Sequence, residues 1–443
     1  MLNGRTFRRI RNDLPAPALA EPWRSLMSIQ HVVVVLFENR SYDNVLGRLY
    51  HPDNLPPYDK APGGQAHLNG LTDSDSNPCP AGCDNNPCPP GVSTIPVSNQ
   101  VTPTRIEGSD LWYAATAIPT IDPGEPFCDM AQQLLGLAHK PESNPYVDYP
   151  PRDRSRLCQG FTLNYAQQCW GLGNPEAPVP SDNIKDIMNC LTPAQMPVSA
   201  FLANRYALSD EWFASVPTQT FTNRAFAMCA APGQSVNLLG ERFSFIDDIQ
   251  YVFNPLKPVR SVMRQLDEVH GRSVDGVATW KVYFHDYSVA VETVRDVADA
   301  ARAADNINVA SFDDSDWGSH GHPPQIKGAK ATTFLHDVKA GKLPKFSFIE
   351  PRFFDNYARS HLPANHNHPG VPKYPTHLRG SNAPTDAATG EVFLMQLYNL
   401  LRRSPCWADT LLIISYDEHG GVFDHVPPPV APPRATTCRR CAA

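Results

Sequence analysis

The sequence lacks any apolar run of the roughly 20 residues that a membrane-spanning helix needs; Val32 to Phe37 is far too short. Nor does the apolar core of a secretory signal follow the N-terminal Arg5, Arg8, Arg9 and Arg11. "RRIRNDLPAPALA" therefore reads as part of a polar leader over residues 1–28, and the chain as given reads as cytoplasmic. A different true start would leave room for export. Excess positive charge is missing too: the formal net charge is −7, which gives no general reason to bind nucleic acid. Also absent are G-x-x-x-x-G-K-[ST], G-x-G-x-x-G after a strand, G-x-S-x-G and H-E-x-x-H. Nucleotide kinase, dinucleotide enzyme, esterase and zincin readings thereby lose their main support.

What is present describes a large globular chain. Its 443 residues are 42% hydrophobic and 19% charged, enough to bury a sizeable core. Forty-five prolines, about twice the usual ~5% share, imply long ordered loops. Eleven cysteines are an odd number, so at least one is unpaired. Cys79, Cys83 and Cys88 crowd into "NPCPAGCDNNPCPPG" with no fourth ligand nearby in sequence. A loop with free thiols or one disulfide is a better reading there than a zinc knuckle.

Along the chain, strands alternate with helices. "HVVVVLF" is the near-continuous apolar run of a parallel strand covered on both faces. "PKFSFIEP" and "DTLLIISYDEHGG" repeat its grammar, a hydrophobic strand stopping at acids. "PVRSVMRQLDEVHG", "VETVRDVADAARAADN", "ATTFLHDVKAGKLP" and "GEVFLMQLYNLLRRSP" read as helices. The pattern predicts an α/β fold with a mostly parallel sheet, whose ligands bind beyond the carboxyl ends of the strands. Residues 51–180, rich in Pro, Asn and Gly and poor in periodicity, read as an insertion decorating one domain over 29–430. Residues 431–443 read as an irregular tail.

The strand ends carry the chemistry. Glu38–Asn39, Glu350 and Asp417–Glu418–His419 are far apart in sequence, but one parallel sheet brings such termini to a single edge. Any one acid alone is more readily a solvated turn residue or cap. Carboxylates and an amide closing two strands of similar make-up instead suit a divalent cation. In "SVPTQTFTNRAFAM", Thr218, Thr220 and Thr222 precede Asn223 and Arg224. A threonine hydroxyl held on such a cation is a nucleophile, although a Thr-rich loop also uses hydroxyls simply to bond its turns. His285, His366, His368, His419 and His425 lie in polar settings suited to proton transfer.

Together, "VVVLFENRSYDNVLG", "SVPTQTFTNR", "LPKFSFIEP", "NHNHPG" and "TLLIISYDEHGGVFDHVPPP" resemble the phosphoesterase family of bacterial and plant non-specific phospholipases C and a related acid phosphatase. The resemblance implies an alkaline-phosphatase-like three-layer α/β/α sandwich and metal-dependent phosphate-ester hydrolysis through a phosphorylated hydroxyl. It places Glu38, Asn39, Asp417 and Glu418 on one or more divalent metal ions. It makes Thr220, also a metal ligand, the nucleophile, with His368 near the transferred phosphate. His285, in "ATWKVYFHD", is a looser match. Glu125, Arg224, Glu350 and His419 are then the candidates for substrate contacts. Where the family carries a histidine after "DPG", this chain has Glu125, which can accept a proton or bind metal but lends no positive charge. The family also continues beyond "DHVPPP", whereas this chain ends "VAPPRATTCRRCAA", which suggests a truncation or altered frame.

The leading expectation is thus a phospholipase C-type phosphodiesterase acting on a glycerophospholipid. A broad-specificity acid phosphatase and an inactive metal-binding remnant are the alternatives. Trp112, Tyr113, Phe127, Tyr146 and Tyr149 are loop aromatics that could provide an apolar approach and peripheral membrane contact. The residues leave oligomeric state open.

Overall fold

Why do "HVVVVLF", "FSFI" and "TLLIISY" end up side by side? Each is a run of mainly apolar residues, stable only when packed against neighbouring layers. The computed structural model describes residues 8–9, 29–51, 68–80, 88, 91–98, 104–105, 112–113, 116, 119, 121–142, 144–145, 151, 154–171, 181–236, 241–248, 250–251, 260–313, 332–354, 363–369 and 386–430. Most of the expected leader, the 431–443 tail, Cys83, Tyr146, Tyr149 and the side chains of Trp112 and Tyr113 lie outside those residues.

Five strands form the central sheet: β1 His31–Phe37, β2 Trp280–Phe284, β3 Val309–Ser311, β4 Phe346–Ile349 and β5 Thr410–Tyr416. Their order is β3-β2-β4-β1-β5, and every pairing is parallel. One face of the sheet presents Val33, Val35, Phe37, Tyr283, Ala310 and Ile349. It packs on helices α4 Pro197–Arg205, α9 Phe334–Lys339 and α10 Ala387–Arg402, through residues such as Leu202, Phe334 and Leu397. The other face presents Leu36, Trp280, Val282, Phe284, Val309 and Phe348 to α5 Thr220–Cys229, α6 Val262–His270, α7 Val289–Thr293 and α8 Arg295–Arg302. Each such buried side chain contributes about 1.5–3 kcal/mol relative to exposure. The expected α/β sandwich with a parallel sheet is what the chain forms.

Two details differ from the sequence reading. "VETVRDVADAARAADN" is two helices, because Val294 is extended (φ −120°, ψ 120°) and buried between them. The supposedly aperiodic 51–180 stretch holds α2 Phe127–Leu135 and α3 Phe161–Gly171. Its cysteines Cys79 and Cys88 are joined as a disulfide. A short helix, α1 Tyr42–Leu46, follows β1 and is capped by Ser41. Among the described residues, no helix is long and apolar enough to cross a membrane.

Candidate active site

The parallel register sets the floor of the site. Phe37 lies opposite Tyr416, and the Asp417 amide donates to the Phe37 carbonyl at 3.1 Å, so Glu38 and Asp417 leave the sheet side by side. Glu350 leaves β4 at a similar level, with its amide donating to Tyr283. Three buried carboxylates this close need a cation. Arg224 supplies it from the first turns of α5: Nε donates to Asp417 Oδ2 at 3.0 Å, Nη2 to Glu38 Oε1 at 3.3 Å, and Nη1 lies 3.5 Å from Glu350 Oε1. Ser288 Oγ and the Ala290 amide donate to Glu350 at 2.5 and 3.0 Å. Arg224 and Glu350, both expected at the substrate, have side chains closed to solvent. Arg224 touches Glu38 and Asp417, and Glu350 touches Arg224.

The loop ahead of Arg224 shows which threonine is available. Asn223 holds it in shape, donating to the carbonyls of Val216 and Thr218 and accepting from the Val216 amide. The Thr218 and Thr222 hydroxyls both donate to the Ile246 carbonyl, at 2.8 and 2.9 Å. Thr220, between them, instead donates to Asn39 Oδ1 at 3.3 Å. It opens α5, whose partial positive end favours a nearby anion.

Above that floor the partners change. Asn39 adopts the left-handed region (φ 55°), which asparagine tolerates, and its amide donates to Asp417 Oδ1 at 3.2 Å. Its Nδ2 donates to Glu125 Oε1 at 2.5 Å. With Nδ2 on Glu125, the Asn39 carboxamide turns its Oδ1 toward Thr220. Glu125 Oε1 is also 3.3 Å from His368 Nε2, and His368 Nδ1 is 3.9 Å from Asp122 Oδ1. His366 Nδ1 meets Glu38 Oε2 at 3.3 Å, its ring stacked on Phe353. Gly420 (φ 65°) runs so close to Asn39 that a Cβ there would collide with the Asn39 carbonyl. That close approach explains "HGG" better than flexibility does.

Burial dominates the electrostatics. It pushes Glu125 up to about 8, helped by Asp122, and Asp248 up to about 8 although the Phe221 amide donates to it. Asp417 rises to about 6 against the pull of Arg224, and Glu350 to about 7. Glu418 is raised well above its ordinary range by burial, Glu125 and Asp417. Glu38 goes the other way, because His366 and Arg224 outweigh its burial. Burial disfavours the His368 imidazolium, yet Glu125, Asp122 and Glu38 raise it to about 9.

Two further expected residues, His285 and His419, contact other groups. His285 packs on Phe312 and Phe393 and lies 3.2 Å from Arg352 through Nδ1. His419 turns to Gln133 Oε1 at 3.0 Å and to the Phe161 ring, and burial lowers it to about 4, so it is neutral. Sequence reasoning missed Asp122 and Asp248. Asp122 had a signal, a second acid in the same "IDPGEPF" turn; Asp248 had none beyond its acidity.

The donor set fits a divalent cation. Asp122, Glu125 and His368 each offer a ligand atom within 4.8 Å of the others. Glu418 Oε2 accepts from the Gly420 amide, while its Oε1, buried, has no hydrogen-bond partner among the described residues. Oxygen-rich donors with one imidazole and surplus negative charge are what such ions require. The sequence model of the Phosphoesterase family matches residues 29–439. The chain belongs to that family. Within the Phosphoesterase family it is similar to non-specific phospholipase C1 of Arabidopsis thaliana, 27% identical over 91% of this chain and 54% of that protein. Non-specific phospholipase C6 of the same plant is 26% identical over 92% and 56%. Phospholipase C A of Mycobacterium tuberculosis is 26% identical over 56% and 40%. The chain thus spans about half the length of the curated plant relatives it matches.

Proposed function

We propose that this phosphoesterase is a metal-dependent hydrolase of the phospholipase C type, cleaving the phosphodiester of a glycerophospholipid through a phospho-Thr220 intermediate. The observation that carries the reading is the hydroxyl of Thr220, set against Asn39 where β1 and β5 deliver Glu38, Asn39, Asp417 and Glu418 together. The names of the relatives supply the substrate class.

Glu38, Asn39, Thr220, Asp417 and Glu418 would hold the cation, with Asp122, Glu125 and His368 beside it. When bound, a divalent ion lowers the pKa of a ligating hydroxyl and neutralises phosphoryl oxygens. Thr220 Oγ1, its proton given up to solvent beforehand, attacks phosphorus, and the bond from phosphorus to the glycerol oxygen breaks. His368, held as imidazolium by Glu125 and Asp122, gives its proton to that leaving oxygen. Neutral His368 then takes a proton from water as water attacks the phosphorus on Thr220, which still carries the head group, releasing the phosphorylated head group and the Thr220 alkoxide that began the cycle. Glu125 serves by orienting Asn39 and His368 in place of lending charge to the phosphate. Arg224 keeps Glu38 and Asp417 ionised and in position.

Hydrolysis of p-nitrophenyl phosphorylcholine and p-nitrophenyl phosphate, with and without chelator, tests this. Chelator-sensitive turnover of the diester is expected. Turnover of the monoester alone would replace the reading with an acid phosphatase, and silence on both from folded, metal-loaded protein would leave a metal-binding remnant.

A further inference from the structure

A second group of ligating side chains lies further along the two chain segments that frame the candidate site. Asp43, in the first turn of α1, follows Glu38 and Asn39; Asp424 and His425 follow Asp417 and Glu418. One ligating atom of each of the three lies within 4.8 Å of the others. The segments are already bonded here. Ser41 Oγ donates to the Phe423 carbonyl at 2.6 Å, and the Asp43 amide to Asp424 Oδ2 at 3.4 Å. The His425 amide donates to Asp43 Oδ2 at 2.7 Å, and His425 Nδ1 lies 2.8 Å from the same oxygen.

These contacts leave one oxygen unserved. The Asp43 side chain has 0% exposure, and its Oδ1 has no hydrogen-bond partner among the described residues. Leaving a buried acceptor unsatisfied is costly, and leaving a buried carboxylate so is costlier. The charge is unbalanced as well. Asp75 adds its field to those of Asp43 and Asp424, and the His425 imidazole stands against all three. The His425 side chain is 27% exposed, which gives an approach from solvent and room for water ligands.

We propose that Asp43, Asp424 and His425 form a second divalent-metal site, separate from the phosphoester site, that clamps α1 to the loop after β5. Two carboxylates with one imidazole suit a first-row ion such as Zn²⁺ or Mn²⁺, whereas Ca²⁺ and Mg²⁺ favour oxygen alone. Coordination replaces the hydrogen bond between His425 and Asp43, and any ring proton passes to solvent. The ion ties together, a second time, the segments that carry Glu38–Asn39 and Asp417–Glu418. The inference does not depend on which ester the protein hydrolyses.

The test counts Zn²⁺ and Mn²⁺ per chain by mass spectrometry of the metal, after loading the full-length protein and removing free ion. Wild type, Asp424→Asn, His425→Gln and Glu418→Gln are compared, each first checked by circular dichroism. His425→Gln changes the partly exposed ligand and guards against an Asp424→Asn chain that does not fold. The expected result is that both second-site variants bind one equivalent less than wild type, while Glu418→Gln keeps that equivalent. Stoichiometry in the folded second-site variants equal to that of wild type overturns the proposal.

Discussion

The floor and the mouth of the site are built from the same residue types with opposite outcomes. At the floor, Glu38, Glu350 and Asp417 close on Arg224, whose side chain is wholly buried. At the mouth, Asp122 and Glu125 face the His368 imidazole, and a Glu418 oxygen has no hydrogen-bond partner among the described residues. Carboxylates of the first kind stabilise and position. Among the described residues those of the second kind pair with no guanidinium, and burial raises Glu125 and Glu418 above their ordinary range. The difference teaches that acids at strand ends are not equivalent: Glu38 and Asp417 share their oxygens with a guanidinium of the chain, whereas Glu418 keeps an oxygen that nothing among the described residues serves.

The sharpest separation of the two comes from Thr220→Ala, which removes one mouth-side hydroxyl. Turnover should fall roughly 10³-fold or more with the melting temperature unchanged. Near-normal hydrolysis in a kinetic assay would remove Thr220 from its role. Arg224→Met tests the floor, because it leaves buried carboxylates unpaired at a cost of about 3–5 kcal/mol. Chemical denaturation showing a loss below 1 kcal/mol would mean the floor is not the anchor described. His368→Asn belongs to the mouth again: a loss of about 10²-fold in kcat is expected, with little change in stability. Equal kcat in the variant would exclude it as the proton donor.

The pH response should split the regions more gently. Glu125 and Asp248 at about 8, Glu350 at about 7 and Asp417 at about 6 all lie above their ordinary values near 4. The folded chain therefore binds these protons more tightly than the unfolded chain, and the stability they lend is lost as pH rises through 6 to 8. His368, raised to about 9, works in the same direction at higher pH. Chelated protein should melt roughly 5 °C or more lower at pH 8.5 than at pH 5.5, and a divalent ion should narrow the gap. Calorimetry showing higher stability at the alkaline pH would contradict this.

How much of this could be read in advance depended on which residues were buried. β1, β4 and β5 were legible because each is a run of mainly apolar residues that stops at acids. α2 and α3 were not, because polar side chains fill their interface. Asn164 donates to Asp129 and Gln132 at 2.9 and 2.8 Å, and Gln133 to Asn164 at 2.8 Å. In α3 such a network weakens the apolar period that marks a helix. At the site, the strand-end acids and the Thr-Asn-Arg run were visible in the sequence. The pairing of Asp122 and Glu125 with His368 was not, since it depends on loops far apart in the chain.

The central claim is covalent transfer to Thr220, and acid-quenched turnover of p-nitrophenyl phosphorylcholine tests it most directly. The account predicts a peptide whose Thr220 carries phosphorylcholine in the mass spectrum, absent from Thr220→Ala. Steady hydrolysis with no phosphorylcholine-bearing peptide, or with that group on another residue, would contradict it.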